Sequence, residues 1–452
     1  MTTAALARPS IASTRFKPAS IGADLATLII GLTCSFTVRL VGDLPVAEIL
    51  LLPLLPVLLI VHGEKVVRPR LRVIGFLMGL WLLSQVLTDI YRGTEARDWM
   101  RGDARIVFFA IDIVCLAVLL TRNERRKVIF IAGYAIGSLL AVRFQPALEV
   151  ADDPWKFGYS RGTIIFVVLV SCFFYRRRQY IIAGIFLAGI MGVNLFENYR
   201  SPVLDLLVAT ALVMPVVPER IGRLRILPPL GSSARVAVLA GLALAAGVLA
   251  GGLVHLFTST GLIGADAQVK NQEQSQSKGG IILGGRPEIL VSSRAVLESP
   301  ILGHGSYAKD FKYTEMLNDI QVENGIPTDL EDEEAAEGTI PAHSHLMSTW
   351  VQAGVLGAVF WVYILWSVFR AVVWVATIRP PNAPLYALLL VELAWNILFS
   401  PFGNTARMQE ALIFVIIFDL QDSWLAIVNA SGRTVRSRIV RRRIPRVAFM
   451  PR

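Results

Sequence analysis

Apolar runs of roughly twenty residues recur along almost the whole chain, separated by short polar or basic punctuation. A run of that length has one good solution. It crosses about 30 Å of hydrocarbon as a helix, because only a helix closes its backbone hydrogen bonds where no water can reach them. Twelve runs qualify: 23–41, 45–62, 71–89, 104–121, 127–144, 161–176, 179–197, 202–217, 234–258, 347–369, 384–399 and 408–426. Of 452 residues, 54% are hydrophobic and 17% charged, well under the ~25% charge of a soluble domain. The expected fold is therefore an all-α polytopic membrane protein with about twelve spans. One large excursion interrupts it, with short helices of its own. The chain divides into an N-terminal tail (1–22), spans one to nine (23–258), a large loop (259–346), spans ten to twelve (347–426) and a basic tail (427–452).

Lys and Arg set the orientation. Arg8, Arg15 and Lys17 precede the first span; Lys65, Arg68, Arg70 and Arg72 follow the second; Arg122, Arg125, Arg126 and Lys127 follow the fourth; Arg176, Arg177 and Arg178 follow the sixth. Arg220, Arg223, Arg225 and Arg235 follow the eighth, Arg370 and Arg379 the tenth, and seven arginines from Arg433 to Arg446 fill the tail. A twelve-span count puts all of these on one side, which the positive-inside rule makes cytoplasmic. Both termini are then inside and the large loop outside. The net charge of +10 thus reads as topology signal rather than as a nucleic-acid surface. The tail also suits anionic headgroups, at about 1 kcal/mol per basic residue near the surface. Cys34, Cys115 and Cys172 lie in apolar segments and imply no disulfide framework. The polar N-terminus lacks a small-residue cleavage site, so the first apolar run reads as an uncleaved span. No internal repeat, heptad run, dinucleotide fingerprint or P-loop is present.

The groups able to act on a polar substrate gather at the outer face. Tyr199-Arg200-Ser201 closes the seventh span, and the eighth begins almost at once, so the Arg200 guanidinium has little room to wander. Gly285-Arg286-Pro287 opens a short amphipathic helix with proline at its first position. Free N–H groups at that helix start, with the planar fork of Arg286, suit a phosphate. Arg294 lies further along the helix, and Pro300-Ile301-Leu302-Gly303-His304-Gly305 stops it. Three of the chain's five histidines, His304, His343 and His345, lie in this loop. His343 and His345 are two residues apart and lack a clear third ligand, so no metal site is expected. A neutral imidazole at the mouth of a span serves better as a general base or a donor to substrate, while a histidine capping a helix is the plainer alternative. The acidic run from Asp329 to Glu337 reads as a solvated stretch. Asp112, Asp205, Glu392 and Asp419 are acids inside spans, without evident pairing beyond partners such as Asn396.

Ala342-His343-Ser344-His345-Leu346, followed by Gly354-Val355-Leu356-Gly357, resembles a segment of the O-antigen ligase and Wzy-type polymerase superfamily. There a histidine precedes a Gly-Leu-x-Gly helix turn by eleven residues, so His343 is the match and His345 an extra. Gly285-Arg286 with the 300–305 segment is similar to that superfamily's Gly-Arg and Pro-Leu-Leu-Gly-x-Gly elements. Tyr199-Arg200-Ser201 is similar to its Ser-Arg element. The order of the three and the loop between spans nine and ten also match. Ser344 stands where asparagine is usual, and Tyr199 where serine is common.

The resemblance implies a GT-C-like enzyme that moves a glycan from an undecaprenyl-diphosphate carrier to a sugar hydroxyl at the periplasmic face, without metal or other cofactor. It implies that Arg200 and Arg286 hold the diphosphate and that His343 orients or deprotonates the acceptor. Arg294, His345, His304 and Tyr199 would contact substrate. The acceptor is a growing exopolysaccharide or O-antigen chain for a polymerase, or lipid A-core for a ligase; a protein-glycosylating member is a further branch. A polymerase would work beside a flippase and a chain-length regulator. The alternative of another class is a secondary transporter, with Pro53 and Pro56 interrupting span two and Asp112 and Asp205 as ion groups.

Overall fold

The computed structural model describes residues 21–40, 42–66, 69–197, 199–214, 220–221, 224–225, 234, 237–238, 241, 287–323 and 337–443. It is a helical membrane protein. Among the described residues, six helices are long and apolar enough to cross a bilayer: Val46–Glu64, Pro69–Arg92, Glu124–Phe144, Trp155–Arg176, His345–Ile378 and Ala406–Ala430. Three shorter apolar helices, Ile21–Thr33, Tyr180–Phe196 and Ala383–Phe399, pack among them. In chain order the helices are α1 (Ile21–Thr33), α2 (Val46–Val66), α3 (Pro69–Arg92), α4 (Ala96–Leu120), α5 (Glu124–Phe144), α6 (Ser160–Arg176), α7 (Tyr180–Phe196) and α8 (Arg200–Val213). Two loop helices follow, α9 (Glu288–Glu298) and α10 (Phe311–Glu323), then α11 (His345–Ile378), α12 (Ala383–Phe399) and α13 (Asn404–Arg443).

Several boundaries differ from the sequence reading for physical reasons. The run 23–41 is not one helix. α1 stops at Thr33, and an antiparallel hairpin pairs Thr37–Arg39 with Asp43–Pro45. β-branched Thr37 and Val38 favour extended backbone, and Pro45 has no amide to donate. α13 does not end near 426 but carries the basic segment on as helix to Arg443. The run 234–258 and most of the loop, Arg286 and the acidic run up to Ala336 included, lie outside the described residues. Of that run Glu337 is described, and it pairs with Lys309.

Small residues let two helices touch backbone to backbone. A methyl group on Gly31 of α1 would stand 2.2 Å from the Phe130 carbonyl oxygen, and one on Gly137 of α5 would stand 2.1 Å from that of Leu32. Gly133 and Gly137 form a Gly-x-x-x-Gly face, a recognised device for close helix contact in lipid.

The bundle has two chemically distinct ends. At one, the basic turns meet acids from α1, α5 and α13. Lys127, almost wholly buried, contacts Glu124 and Asp419. Arg122 bonds Asp419 through its amide at 2.7 Å and Asp422 through its guanidinium at 2.9 Å. Arg70 reaches Asp422, and Arg125 and Arg126 hold Asp24. Tyr386 and Asn382 complete Glu124, with Arg176 on Asn382. Asp419, an apparently lone acid in the sequence, is thus the counter-ion of a buried lysine. The other end carries the hairpin, the turns α3–α4 and α7–α8, the loop helices, the start of α11 and the α12–α13 turn. α8 finishes at the basic end, where the Tyr175 hydroxyl meets the Val213 carbonyl. α9 packs at the opposite one, and the chain between them lies outside the described residues.

α11 is broken at Gly354, whose φ of +69° and ψ of −162° are non-helical. A break inside a membrane frees backbone groups that water cannot serve. Here the loop 300–306 serves them. The His304 amide donates to the Val351 carbonyl at 2.7 Å, the Gly305 amide to Gln352 at 3.1 Å, and the Val355 amide to Ile301 at 3.3 Å. Ser84 of α3 donates to the Ala353 carbonyl at 2.6 Å. The loop is in turn held on α3: Asp89 accepts the Ser306 amide (2.6 Å) and hydroxyl (2.7 Å), Arg92 donates to the Gly303 carbonyl at 2.8 Å, and Thr88 bonds the Leu302 carbonyl. A methyl group at Gly354 would lie 1.9 Å from the Ile301 oxygen, on top of a φ that L residues rarely adopt. Gly354→Ala should therefore cost about 3 kcal/mol or more, read as a lowered thermal midpoint in detergent. Gly79→Ala, which meets open space, should leave the midpoint unchanged. Equal midpoints for Gly354→Ala and wild type would refute this account of the break.

Candidate active site

The two neighbouring histidines have opposite environments, and the residue between them is the cause. Ser344 is extended (φ −159°, ψ 135°) and caps α11, accepting from the Met347 amide at 3.1 Å. Its hydroxyl also donates to the Ile397 carbonyl of α12 at 2.8 Å. His345 therefore begins the helix and turns inward, while His343 stays outside it.

His345 is fully buried. Its Nδ1 lies 2.6 Å from the Ser400 carbonyl, so Nδ1 carries the proton, and its Nε2 lies 2.6 Å from Glu410. Its ring packs edge-on against Trp361 and Phe402. It pins α11 to the α12–α13 turn, and both ring nitrogens are taken by protein rather than offered to a substrate. The side chain of His343 is 43% exposed, with Nδ1 3.4 Å from Glu288 Oε1 at the start of α9. Nδ1 itself is enclosed and makes no hydrogen bond.

α9 is fixed against α11 by a small core of Val291, Ala295, Val296, Tyr313, Ile340 and Val351. His304 belongs to that seam. Its Nε2 stands 2.8 Å from the Ala295 carbonyl and its ring meets Tyr313 edge-on. Arg294 points along α9 to Glu298, 3.0 Å away, and is mostly exposed. Lys312, at 2.6 Å, and the Tyr313 hydroxyl hold the Glu298 carboxyl down at about 2, so this exposed pair keeps its charges through the physiological range. Arg286 lies outside the described residues, two positions before Glu288.

A second wall stands at the same end. Tyr199 closes α7, its amide bonded to the Asn194 carbonyl at 2.8 Å, and half-buried Arg200 opens α8. Arg161, near the start of α6, was not singled out by motif. Its guanidinium bonds Gln409 Oε1 (Nε, 3.1 Å) and lies 3.6 Å from Glu392, which accepts from the Gln409 amide at 2.8 Å. The Arg161 guanidinium also lies 5.9 Å from the Tyr134 ring centre. Glu392 thus pairs across helices with an arginine rather than with Asn396. α12 joins the two walls: Glu392 lies five residues before Ile397, about 7.5 Å at 1.5 Å per residue, and Ile397 receives Ser344. The structure gathers His343, Glu288, Tyr199, Arg200 and Arg161 at one end, and diverts His345, His304 and Arg294 into protein contacts.

Deeper in the bundle, Arg407 grips Glu48 with two bonds of 2.8 Å, both side chains buried. Asp112, fully buried, interacts electrostatically with both. Among the described residues no group of three or more His, Cys, Asp or Glu is arranged to hold a metal ion. No protein-family model matches the sequence, and no curated protein matches it.

Breaking a buried ion pair strands one charge and costs about 3–5 kcal/mol, whereas replacing both partners by apolar groups is often neutral. Arg407→Met should therefore lower the thermal midpoint sharply, and adding Glu48→Leu should restore most of it. Two losses that simply add would show that the pair is not what holds these residues.

Proposed function

We propose that this protein is an integral-membrane glycosyltransferase that moves a glycan from an undecaprenyl-diphosphate carrier to a sugar hydroxyl, as a Wzy-like polymerase of exopolysaccharide or O-antigen. The observation that carries the reading is the half-open imidazole of His343. It is backed by a carboxylate, at the end of the bundle where α6 and α8 begin with Arg161 and Arg200. On this reading that end is periplasmic, the basic end and both termini are cytoplasmic, and the chain makes twelve crossings of the inner membrane.

The chemistry asks for little else. As the bond from the anomeric carbon to the diphosphate breaks, charge grows on phosphate oxygens, and guanidinium groups already in place stabilise it without reorganising. Arg200 and Arg286 take that role. The acceptor hydroxyl must shed its proton as the new bond forms, which suits a base at the mouth of the bundle. His345 is left out of the chemistry, and its task is to anchor the start of α11. Attachment of finished chains to lipid A-core uses the same chemistry with another acceptor.

Purified protein in vesicles, given lipid-linked repeat units, should build a polymer ladder on gels. Arg200→Ala should slow transfer about 10²–10³-fold, or about 3–4 kcal/mol, and His343→Ala should abolish it, with both variants still inserted and folded. Wild-type transfer by His343→Ala would remove the base. The Arg407–Glu48–Asp112 group, buried between α2, α4 and α13, favours a second reading as an ion-coupled transporter. Solute flux into sealed vesicles, lost with Asp112→Asn while no ladder forms, would decide for it.

A further inference from the structure

The geometry points to Glu288 as the positioning residue for His343: its carboxylate takes the Nδ1 proton in a hydrogen bond and leaves Nε2 unprotonated toward the open side. This rests on the transferase reading above. The enclosed Nδ1 lies 3.4 Å from Glu288 Oε1, so the exposure of the ring belongs to its other atoms. Catalytic hydrogen bonds tighten in the Michaelis complex, and this one starts from 3.4 Å. Glu288 is 16% exposed against 43% for His343, the pattern of a shielded carboxylate behind an accessible base.

The pair is also built to stay together. Glu288 sits one turn before Val291, whose side chain is wholly buried in the seam between α9 and α11, and Ile340 enters the same seam three residues before His343. Ser344 and His345 fix the backbone on the other side of His343. The imidazole is thus held from both directions along the chain, with a carboxylate to select its tautomer.

The acceptor O–H bond breaks and its proton forms a bond to Nε2. The oxygen lone pair makes the new bond to the anomeric carbon, and the carbon–diphosphate bond breaks with its electron pair leaving on the diphosphate. The imidazolium that results is stabilised by the Glu288 carboxylate, as in other carboxylate–histidine pairs.

Two measurements on the full-length protein test this, one of them in detergent and without any reference to transfer. Modification of His343 by diethyl pyrocarbonate at pH 8, above the ordinary imidazole range, is followed by peptide mass spectrometry with His62 as internal control. Glu288→Ala should slow His343 modification about threefold or more and leave His62 unchanged. In the vesicle assay Glu288→Gln, whose amide oxygen still accepts the Nδ1 proton, should lower kcat about 10-fold and Glu288→Ala about 100-fold, with KM for the lipid-linked donor within twofold of wild type. An unchanged modification rate, or kcat and KM lost together, would overturn the assignment and leave Glu288 as packing. Slowed modification in a protein that transfers no glycan would keep the pair and discard the transferase reading. Should Glu288→Ala fail to fold, Glu288→Gln carries the transfer measurement, and Glu288→Leu, close in size and without an acceptor, carries the modification measurement.

Discussion

One exchange of hydrogen bonds organises the end of the molecule where chemistry is proposed. The break at Gly354 leaves carbonyls and an amide that lipid cannot satisfy, and the 300–306 loop fills them. The same loop is tied to α3 through Asp89 and Arg92. Its position sets α9, which ends just before it, and α9 sets Glu288 against His343. The break therefore acts over a distance: a backbone fault in one helix becomes the anchor for a loop, and the loop places a carboxylate beside an imidazole.

Charge divides the molecule along its length. At the basic end, cations and acids neutralise one another in dense pairs, with Lys127 buried among Glu124, Asp419 and Tyr386. At the opposite end Arg161 and Arg200 stand at helix starts, Arg161 beside the amide of Gln409 and the carboxylate of Glu392. Interior ion pairs such as Arg407–Glu48 add little net stability once desolvation is counted, yet they strongly disfavour arrangements that separate the partners. Their value here lies in fixing how α2 and α13 meet, and so where α13 presents Gln409 and Glu410.

Much of the helical framework could be read from apolar periodicity, since a bilayer demands long apolar helices. α2, α3, α5, α6, α11 and α12 all start within three residues of where the apolar runs place them. The hairpin after α1 escaped because its first strand continues the apolar run of α1, while Arg39 and Asp43 with Thr37, Val38, Gly42 and Pro45 are its only local marks. Within the site, the apolar run and the His-x-His spelling do not say which histidine faces outward; Ser344 as a capping residue was the available clue. Arg161 carried no signal, because an arginine at a span start ordinarily serves as an interfacial anchor. Its partners Glu392 and Gln409 lie more than two hundred residues away, and no local pattern encodes such pairings. The glycines of the 300–305 and 354–357 motifs were legible as motifs, while their work as a backbone clasp became visible only in three dimensions.

The proposed transfer requires that a diphosphate-linked lipid be held at the end bearing His343. It is tested most directly by photo-crosslinking with a polyprenyl diphosphate whose first isoprene unit carries a photoreactive group, the attachment sites being mapped by mass spectrometry. Labelled peptides are expected from the starts of α6 and α8, residues 160–166 and 199–205, and from 287–291 and 340–346. Labelling confined to the basic end around Lys127 and Asp419, or to the buried Glu48–Asp112–Arg407 group, would contradict it.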